Sequence, residues 1–238
     1  MKLGFSFSGI VYGAGGRTGS RRDFRHCWNN LYTMVVQPFI DQGHEAKIYF
    51  STYKIEDEEV EKEFFETVKP TAVYYSDFKG STPFTCKGAA CNAFMHEDLD
   101  AVIFTRSDLH YSKVIANETV DFNKFNFLFP EKDWFNTPYK FSCDNLYIFP
   151  HRMTPIVHRA LNETYGWPRG ESMPDTHALM IKLLQYMPET DIRFISETEE
   201  LSDVNTFFTC CRSGLPNRDC MHPEVRERYT NEGWSFHQ

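Results

Sequence analysis

Arg106, Ser107 and Asp108 follow directly after the hydrophobic run VIFT at positions 102–105. A carboxylate at the end of a buried strand is well placed to hold Mg²⁺ or Mn²⁺, because such ions take one or two protein carboxylates together with phosphate oxygens. The ion would neutralise charge that develops on a diphosphate leaving group. Arg106 could orient Asp108 or contact the same phosphates. His110 could be a further ligand of the ion, or it could point away from the site, because alternate side chains of a strand point to opposite faces. The alternative is an aspartate that caps the strand and pairs with the neighbouring arginine.

A second group of residues is the segment GAGGRTGSRR at positions 13–22, between a predicted strand and a predicted helix. Glycines there let the backbone approach a phosphate, and the N-terminus of the helix would supply N–H groups and partial positive charge. A guanidinium group can bind two phosphate oxygens at once. The arginines in or near this segment are Arg17, Arg21, Arg22 and Arg25. The segment matches neither a Walker loop nor a dinucleotide-binding fingerprint. The alternative is a surface loop whose arginines lie in solvent.

Both groups of residues belong to a predicted alternation of strands and helices. Strands are predicted at residues 3–11, 46–51, 72–75 and 101–105, and helices at residues 21–42, 56–68 and 86–96. The alternation predicts an α/β fold with a central, mostly parallel, Rossmann-like sheet flanked by helices. Ligands of such sheets bind beyond the carboxyl ends of the strands. The glycine segment and the Arg-Ser-Asp segment both fall at that edge, so we expect them to share one site.

The second half of the chain is less regular. Strands are predicted at residues 124–129, 145–149 and 191–196, and helices at residues 154–164 and 176–186. The chain contains no linker-like stretch and no internal repeat. The predicted organisation is therefore one domain over residues 1–238. It has a nucleotide-binding half at 1–112 and a mixed, acceptor-side half with a C-terminal tail at 113–238.

Composition narrows the class of protein. The formal net charge is −8 over 238 residues, which argues against a broad nucleic-acid-binding face. No apolar run approaches the roughly 20 residues that cross a bilayer, and the N-terminus has no secretory pattern, so we expect a cytoplasmic protein without a membrane span. Seven cysteines without a framework spacing suit reduced thiols.

The order of these parts resembles the GT-A glycosyltransferases that use nucleotide sugars, of the soluble type encoded by large DNA viruses and bacterial polysaccharide loci. In that family an arginine-bearing loop precedes a long helix rich in aromatic residues, and the second strand ends in a Ser/Thr segment, here FSTYK at positions 50–54. A later strand delivers the metal-binding DxD motif, often as Arg-x-Asp-Leu, which residues 106–109 match. The resemblance continues at SCDNLYIF, positions 142–149, and covers most of residues 2–200.

The resemblance implies a role for each matching residue. Asp108 would bind the Mn²⁺ or Mg²⁺ ion that bridges the donor diphosphate, and Arg106 replaces the aspartate that usually contacts the ribose or donor sugar. The residues that receive the nucleotide and its phosphates would be Ser8, Gly9, Arg17, Arg21 and Arg22. Asp77 could contact the uracil or ribose, and its alternative is a turn residue before Gly80.

Asp144 is the candidate catalytic base. Inverting transfer needs a carboxylate that deprotonates the acceptor hydroxyl as this attacks the anomeric carbon. Asp144 precedes a predicted strand and follows a segment with Trp134, Phe135 and Tyr139. Its alternative is an Asx-type cap of the strand. A retaining reaction would not need this base, so both stereochemical outcomes stay open.

The resemblance implies a hexosyl- or pentosyltransferase that moves a sugar from a nucleoside diphosphate sugar to a glycan or other hydroxyl acceptor, with metal-assisted departure of the diphosphate. A virus-encoded member would act in the host cytoplasm. Two alternatives remain: a sugar-phosphate nucleotidyltransferase, which usually has a lysine close to a longer glycine-rich loop, and a non-catalytic carbohydrate- or nucleotide-binding module on the same fold. The donor, the acceptor and the oligomeric state are left open.

Overall fold

The structure is a computed structural model that describes residues 1–14, 21–76, 83–131, 141–165, 179–200, 205–212 and 215–216. Its strands are β1 (Lys2–Ser8), β2 (Tyr12–Ala14), β3 (Arg21–Asp23), β4 (Glu45–Tyr53), β5 (Ala72–Ser76), β6 (Ala101–Arg106), β7 (Leu109–Tyr111), β8 (Phe125–Phe127), β9 (Pro130–Glu131), β10 (Phe141–Ser142), β11 (Leu146–Pro150), β12 (Ile192–Phe194), β13 (Phe208–Arg212) and β14 (Leu215–Pro216). Its α-helices are α1 (Phe24–Leu31), α2 (Gln37–Asp41), α3 (Glu58–Val68), α4 (Pro83–Phe94), α5 (Thr154–Tyr165) and α6 (Leu179–Leu183). A π-helical segment covers Tyr32–Val36, and 3₁₀ turns cover Ile115–Asn117, His151–Met153 and Glu189–Asp191.

A seven-stranded sheet forms the centre of the fold, in the order β12-β8-β11-β6-β1-β4-β5. Strand β1 runs parallel to β4 and β6, β4 runs parallel to β5, and β12 runs parallel to β8. Only β11 among these seven is antiparallel to its neighbours. The predicted mostly parallel α/β sheet flanked by helices is therefore confirmed, and strands from both predicted halves of the chain contribute to it.

The chain reverses its direction across the sheet at β1. From β1 it proceeds outward to β4 and β5, and it then returns through α4 to β6 on the other side of β1. In open α/β sheets this reversal opens a crevice beyond the carboxyl ends of the two neighbouring strands. Ser8 at the end of β1 is in register with Arg106 at the end of β6, and Leu146 at the start of β11 is opposite Thr105. The crevice therefore has β1, β6 and the entrance of β11 at its edge.

Hydrophobic clusters cover the two faces of the sheet. Alternate side chains of a strand point to opposite faces, and in β6 Ala101 and Ile103 join one cluster whereas Val102 and Phe104 join the other. The first cluster includes residues of α1 and α3, and the second includes residues of α4, α5 and α6. Burial on both faces explains why the β6 sequence is a continuous hydrophobic run.

The helix predicted to begin at Arg21 begins at Phe24 instead. Residues Arg21–Asp23 form β3, which pairs with β2, and Asp23 caps α1 by accepting a hydrogen bond from the backbone N–H of Arg25 at 3.1 Å. The helix N-terminus that we expected to face a phosphate therefore donates to Asp23. The π-helical segment at Tyr32–Val36 precedes Pro38, which has no N–H to continue an α-helical hydrogen-bond ladder.

No helix within the described ranges is both long and apolar enough to cross a membrane.

Candidate functional site

Two arginines from different elements converge on Asp108 at the crevice. Arg106, the last residue of β6, donates from Nε to Asp108 Oδ1 at 2.8 Å and from Nη2 to Asp108 Oδ2 at 2.7 Å. Arg22, from β3, donates from Nε to Asp108 Oδ2 at 3.2 Å. The side chains of Arg22 and Asp108 are only 11% and 10% exposed. The three residues form what we call the arginine cluster, which carries two positive charges and one negative charge.

The ionisation of Asp108 is governed by these arginines. Burial alone would raise the pKa of Asp108, because it removes the carboxylate from water. The charge and hydrogen bonds of Arg106, and next those of Arg22, outweigh burial and lower the pKa of Asp108 below its ordinary value. Asp108 is therefore a carboxylate at neutral pH.

The end of β1 fixes the turn that carries Asp108. The Ser107 N–H donates to the Ser8 carbonyl at 2.9 Å, and the Ser107 hydroxyl lies 3.3 Å from the same oxygen. Gly9 has φ +121°, and a Cβ there would come within 3.2 Å of Ser107 Oγ. The Gly9 N–H donates to the Ser51 carbonyl in β4 at 3.1 Å. Ser8 and Gly9 thus shape the crevice through their backbones, whereas their predicted contact with a nucleotide stays a prediction.

A second network holds the other side of the turn. The Thr105 hydroxyl donates to the Asn145 carbonyl at 2.9 Å, so the Tyr111 hydroxyl, at 2.7 Å from Thr105 Oγ1, is the donor of that pair. Asn30 on α1 accepts from the Tyr111 N–H and donates to the Tyr111 carbonyl. Arg106 Nη1 donates to Asn145 Oδ1 at 3.3 Å. These bonds connect the arginine cluster to the residue after Asp144.

Asp144 lies at the entrance of β11, and a buried lysine holds its main chain. Asp144 is 8% exposed and Lys87 is 2% exposed. Lys87, from α4, donates from Nζ to the Asp144 carbonyl at 2.7 Å, and its Nζ lies 4.6 Å from the centre of the Tyr147 ring. Burial, and next the negative charge of Asp144, raise the pKa of Tyr147 well above its ordinary value, so Tyr147 remains protonated. Lys87 therefore holds the main chain of Asp144, and Arg106 of the arginine cluster contacts the next residue, Asn145.

Four of the predicted site residues lie at one edge of the sheet, and several others fall outside the described residues. The four are Arg22, Arg106, Asp108 and Asp144. Arg21 lies in β3. Positions that lie outside the described residues are Arg17, Asp77, Trp134, Phe135 and Tyr139.

Sequence reasoning missed Lys87 and Asn145. The signal for Lys87 was present, since it is the only charged residue in the stretch TCKGAACNAF of a predicted helix. The signal for Asn145 was weaker, because its role depends on a contact with Arg106, 39 positions away.

The described residues do not fit a divalent ion at Asp108. Both Asp108 oxygens already accept hydrogen bonds from guanidinium groups, which repel a cation. His110 lies on β7 opposite Thr209, and within the part of the chain that the structure describes there is no group of three or more His, Cys, Asp or Glu side chains that could hold a metal. The predicted ion site of Asp108 and His110 therefore lacks a suitable donor set among these residues.

A small cavity adjoins Asp108 and is lined also by Ile10, Arg22 and Phe24. Its volume is about 10 Å³, which is about the space of one water molecule. A sugar or nucleotide does not fit there, so a ligand would have to approach the arginine cluster from the crevice beyond the strand ends.

No protein-family model matches the chain, and no curated protein is significantly similar to its sequence. Among solved structures, the chain is similar to the glycosyltransferase GlyE of Streptococcus pneumoniae TIGR4, with a TM-score of 0.46 and 11% identity over 81% of this chain and 44% of that one. It is also similar to 4-diphosphocytidyl-2C-methyl-D-erythritol synthase of Anaerococcus prevotii DSM 20548, with a TM-score of 0.49 and 12% identity over 86% of this chain and 91% of that one. For TarS of S. aureus the TM-score is 0.48 and the identity 10%, over 89% of this chain and 37% of that one.

A glycosyltransferase is among the solved structures to which this chain is similar. The chain spans less than half of the GlyE and TarS chains. With every one of these TM-scores below 0.5, the likenesses carry no argument about activity.

Proposed function

We propose that this chain is a glycosyltransferase that uses a nucleoside diphosphate sugar as donor and a glycan or other hydroxyl compound as acceptor. One observation carries the proposal: at the sheet edge where the chain reverses, the net-positive arginine cluster contacts Asn145, the neighbour of Asp144 at the entrance of β11. The cluster suits a diphosphate leaving group, and Asp144 suits an acceptor hydroxyl. An inverting sugar transfer needs both functions within one site.

The proposed reaction is a displacement at the anomeric carbon of the donor sugar. Asp144 takes the proton of the acceptor hydroxyl while that oxygen forms a bond to the anomeric carbon. The bond from this carbon to the diphosphate oxygen breaks, and its electron pair leaves with the nucleoside diphosphate. Arg22 and Arg106 stabilise the negative charge that develops on the leaving oxygens, since their positions are fixed before the reaction starts.

The other predicted residues keep proposed roles around this core. Arg17 and Arg21 are proposed contacts of the donor phosphates, and Asp77 is a proposed contact of the uracil or ribose. Mn²⁺ or Mg²⁺ was implied at Asp108 by the resemblance. Because the described residues there do not fit such an ion, no step of the proposed reaction depends on one.

A sugar-phosphate nucleotidyltransferase is a second candidate. That activity usually has a lysine near the phosphates, and Lys87 provides a buried ammonium group at the edge of the site. The two activities differ in their substrates. A nucleotidyltransferase would join a sugar 1-phosphate to a nucleoside triphosphate and release pyrophosphate. The proposed glycosyltransferase would transfer the sugar of a nucleotide sugar and release the nucleoside diphosphate.

The test is a screen of UDP-, GDP- and dTDP-sugars for binding and for slow hydrolysis, with the nucleotidyltransferase substrates tested in parallel. We expect one nucleotide sugar to raise the melting temperature and to be hydrolysed. In Asp144→Asn this donor should still bind, and its turnover should fall about 100-fold or more. Asp98→Asn is the control, because Asp98 is an exposed carboxylate paired with Lys2. Binding of no nucleotide sugar, or full activity of Asp144→Asn, would contradict the proposal.

A further inference from the structure

We infer that this site binds the diphosphate of its donor through guanidinium groups and without a divalent ion, and that Asp108 is the positioning residue for both guanidiniums. The inference rests on the proposed function, because it concerns the same donor. It reassigns Asp108 from a metal ligand to the residue that holds Arg22 and Arg106 at the strand ends.

The hydrogen bonds at Asp108 support this assignment. A guanidinium group has five N–H donors, and the geometry of two of them matches a carboxylate or a phosphate. Arg106 forms such a two-point contact with Asp108, and Arg22 adds a third hydrogen bond from β3. The two arginines come from segments 84 positions apart in the chain, and Asp108 holds both groups in one place.

The charge balance points in the same direction. Within the arginine cluster, Arg22 and Arg106 contribute two positive charges and Asp108 contributes one negative charge. Asp23, which lines the same small cavity, is paired with Arg25. A site with an excess of positive charge suits an anion, and a divalent cation would meet repulsion from the guanidiniums. A diphosphate would instead find cations already in position, of the residue type that proteins favour for phosphate recognition.

The exposure of the side chains in the arginine cluster also suits two cations that are held in place by Asp108. Arg106 is 28% exposed, whereas Asp108 and Arg22 are 10% and 11% exposed. Arg106 is therefore the more accessible of the two cations and would contact the phosphates most directly. Its Nη1 bond to Asn145 brings this contact next to Asp144, the proposed base. The leaving diphosphate and the attacking hydroxyl would then be held by adjacent residues.

The test is calorimetric binding of UDP to wild-type protein after exhaustive treatment with EDTA, followed by the same titration with Mn²⁺ and with Mg²⁺. We expect the Kd of UDP to differ by less than about threefold among the three conditions, because each cation that the diphosphate needs is part of the chain. Arg22→Gln and Arg106→Gln should each weaken metal-free UDP binding about tenfold or more, since a charge-assisted contact is lost. Arg159→Gln is the matched control, because Arg159 pairs with Glu163 on the exposed face of α5.

The outcomes separate this inference from the proposed function. UDP binding that requires Mn²⁺ or Mg²⁺ would overturn the inference and leave the glycosyltransferase proposal in place, as would unchanged UDP affinity in both arginine variants. Inorganic pyrophosphate is the second probe. Metal-free binding of pyrophosphate without binding of any nucleotide would uphold the arginine site and overturn the nucleotide-sugar proposal. Binding of neither probe under any condition would overturn both.

Discussion

Asp108 is subject to two opposing influences on its ionisation. Burial raises the pKa of a carboxyl group, whereas the two arginines lower the pKa of Asp108, and the arginines prevail. A carboxyl group whose pKa is lowered by folding binds fewer protons in the folded state than in the unfolded state. It therefore adds stability above the pKa of the unfolded carboxyl group, about 3.9, and that stability is lost as the pH falls through the lower pKa of the folded state.

Asp108→Asn should reveal this contribution. At pH 7 the substitution should lower the free energy of unfolding by about 3 kcal/mol, because it leaves the largely buried Arg22 and the partly exposed Arg106 without their carboxylate. The difference between wild type and variant should shrink as the pH is lowered from 5 to 2.5, because the wild-type carboxylate becomes protonated. Urea denaturation of wild type and Asp108→Asn at a series of pH values measures this difference in the free energy of unfolding.

Asp98→Asn provides the comparison for this experiment. Asp98 is also paired with a cation, Lys2, but its side chain is 85% exposed. Solvent and salt screen such a pair, so its loss should have little effect at any pH. An Asp108→Asn difference that stayed constant between pH 5 and 2.5 would show that the ion pairs of Asp108 do not govern its ionisation.

Helix α4 links the packing of the sheet to the proposed base. It joins β5 to β6, and its Ala90, Cys91 and Phe94 are buried in the cluster that also contains residues of α5. Lys87 precedes Ala90 and Cys91 by about one helical turn and donates from its ammonium group to the Asp144 carbonyl. A buried ammonium group is costly without partners. We therefore regard Lys87 as a positioning residue for Asp144.

Lys87→Met tests this role, because it removes the ammonium group and keeps an unbranched apolar side chain. Turnover should fall roughly 10- to 100-fold, since a small displacement of a catalytic group has effects of this size. The Kd of the donor should change little, because the arginine cluster remains. Steady-state kinetics and calorimetry with the donor found in the screen give the two quantities. Lys47→Met, which removes a lysine paired with Glu97 near the surface, is the control. Equal losses in donor affinity and turnover would indicate a general structural role instead.

Strands and helices that bury a continuous face were predictable, whereas contacts between distant residues were not. β6 was recognised from its hydrophobic run, which placed Asp108 after a strand end, and the predicted strand at residues 145–149 placed Asp144 at a strand entrance. The start of α1 was placed too early because Arg21 and Arg22 suit a helix, and the three-residue pairing of β2 with β3 has no periodic signal. The contact of Arg22 with Asp108 spans 86 positions. Local sequence patterns contain no information on such a pairing.

At the scale of the whole molecule, one hydrophobic cluster connects the core to the segment that carries Arg22. Phe64 of α3 is fully buried, and its ring lies 5.1 Å from that of Phe24 and 5.0 Å from that of Phe50, measured between ring centres. Phe24 begins α1 directly after β3, and Phe50 lies in β4. The edge-to-face geometry of these rings is favourable. Phe64 thus stabilises the sheet and the start of α1 together.

Phe64→Ala should therefore destabilise the fold as a whole. We expect the free energy of unfolding to fall by about 3–5 kcal/mol, through lost burial and the cavity that remains. The adjacent Phe65 is 42% exposed, so Phe65→Ala should cost about 1 kcal/mol or less. Urea denaturation followed by circular dichroism compares the two variants, which differ by one position on the same helix. Similar losses in both would mean that α3 does not bury Phe64 against Phe24 and Phe50. A larger loss in Phe64→Ala would locate the stability of the Arg22 segment in the core beneath it.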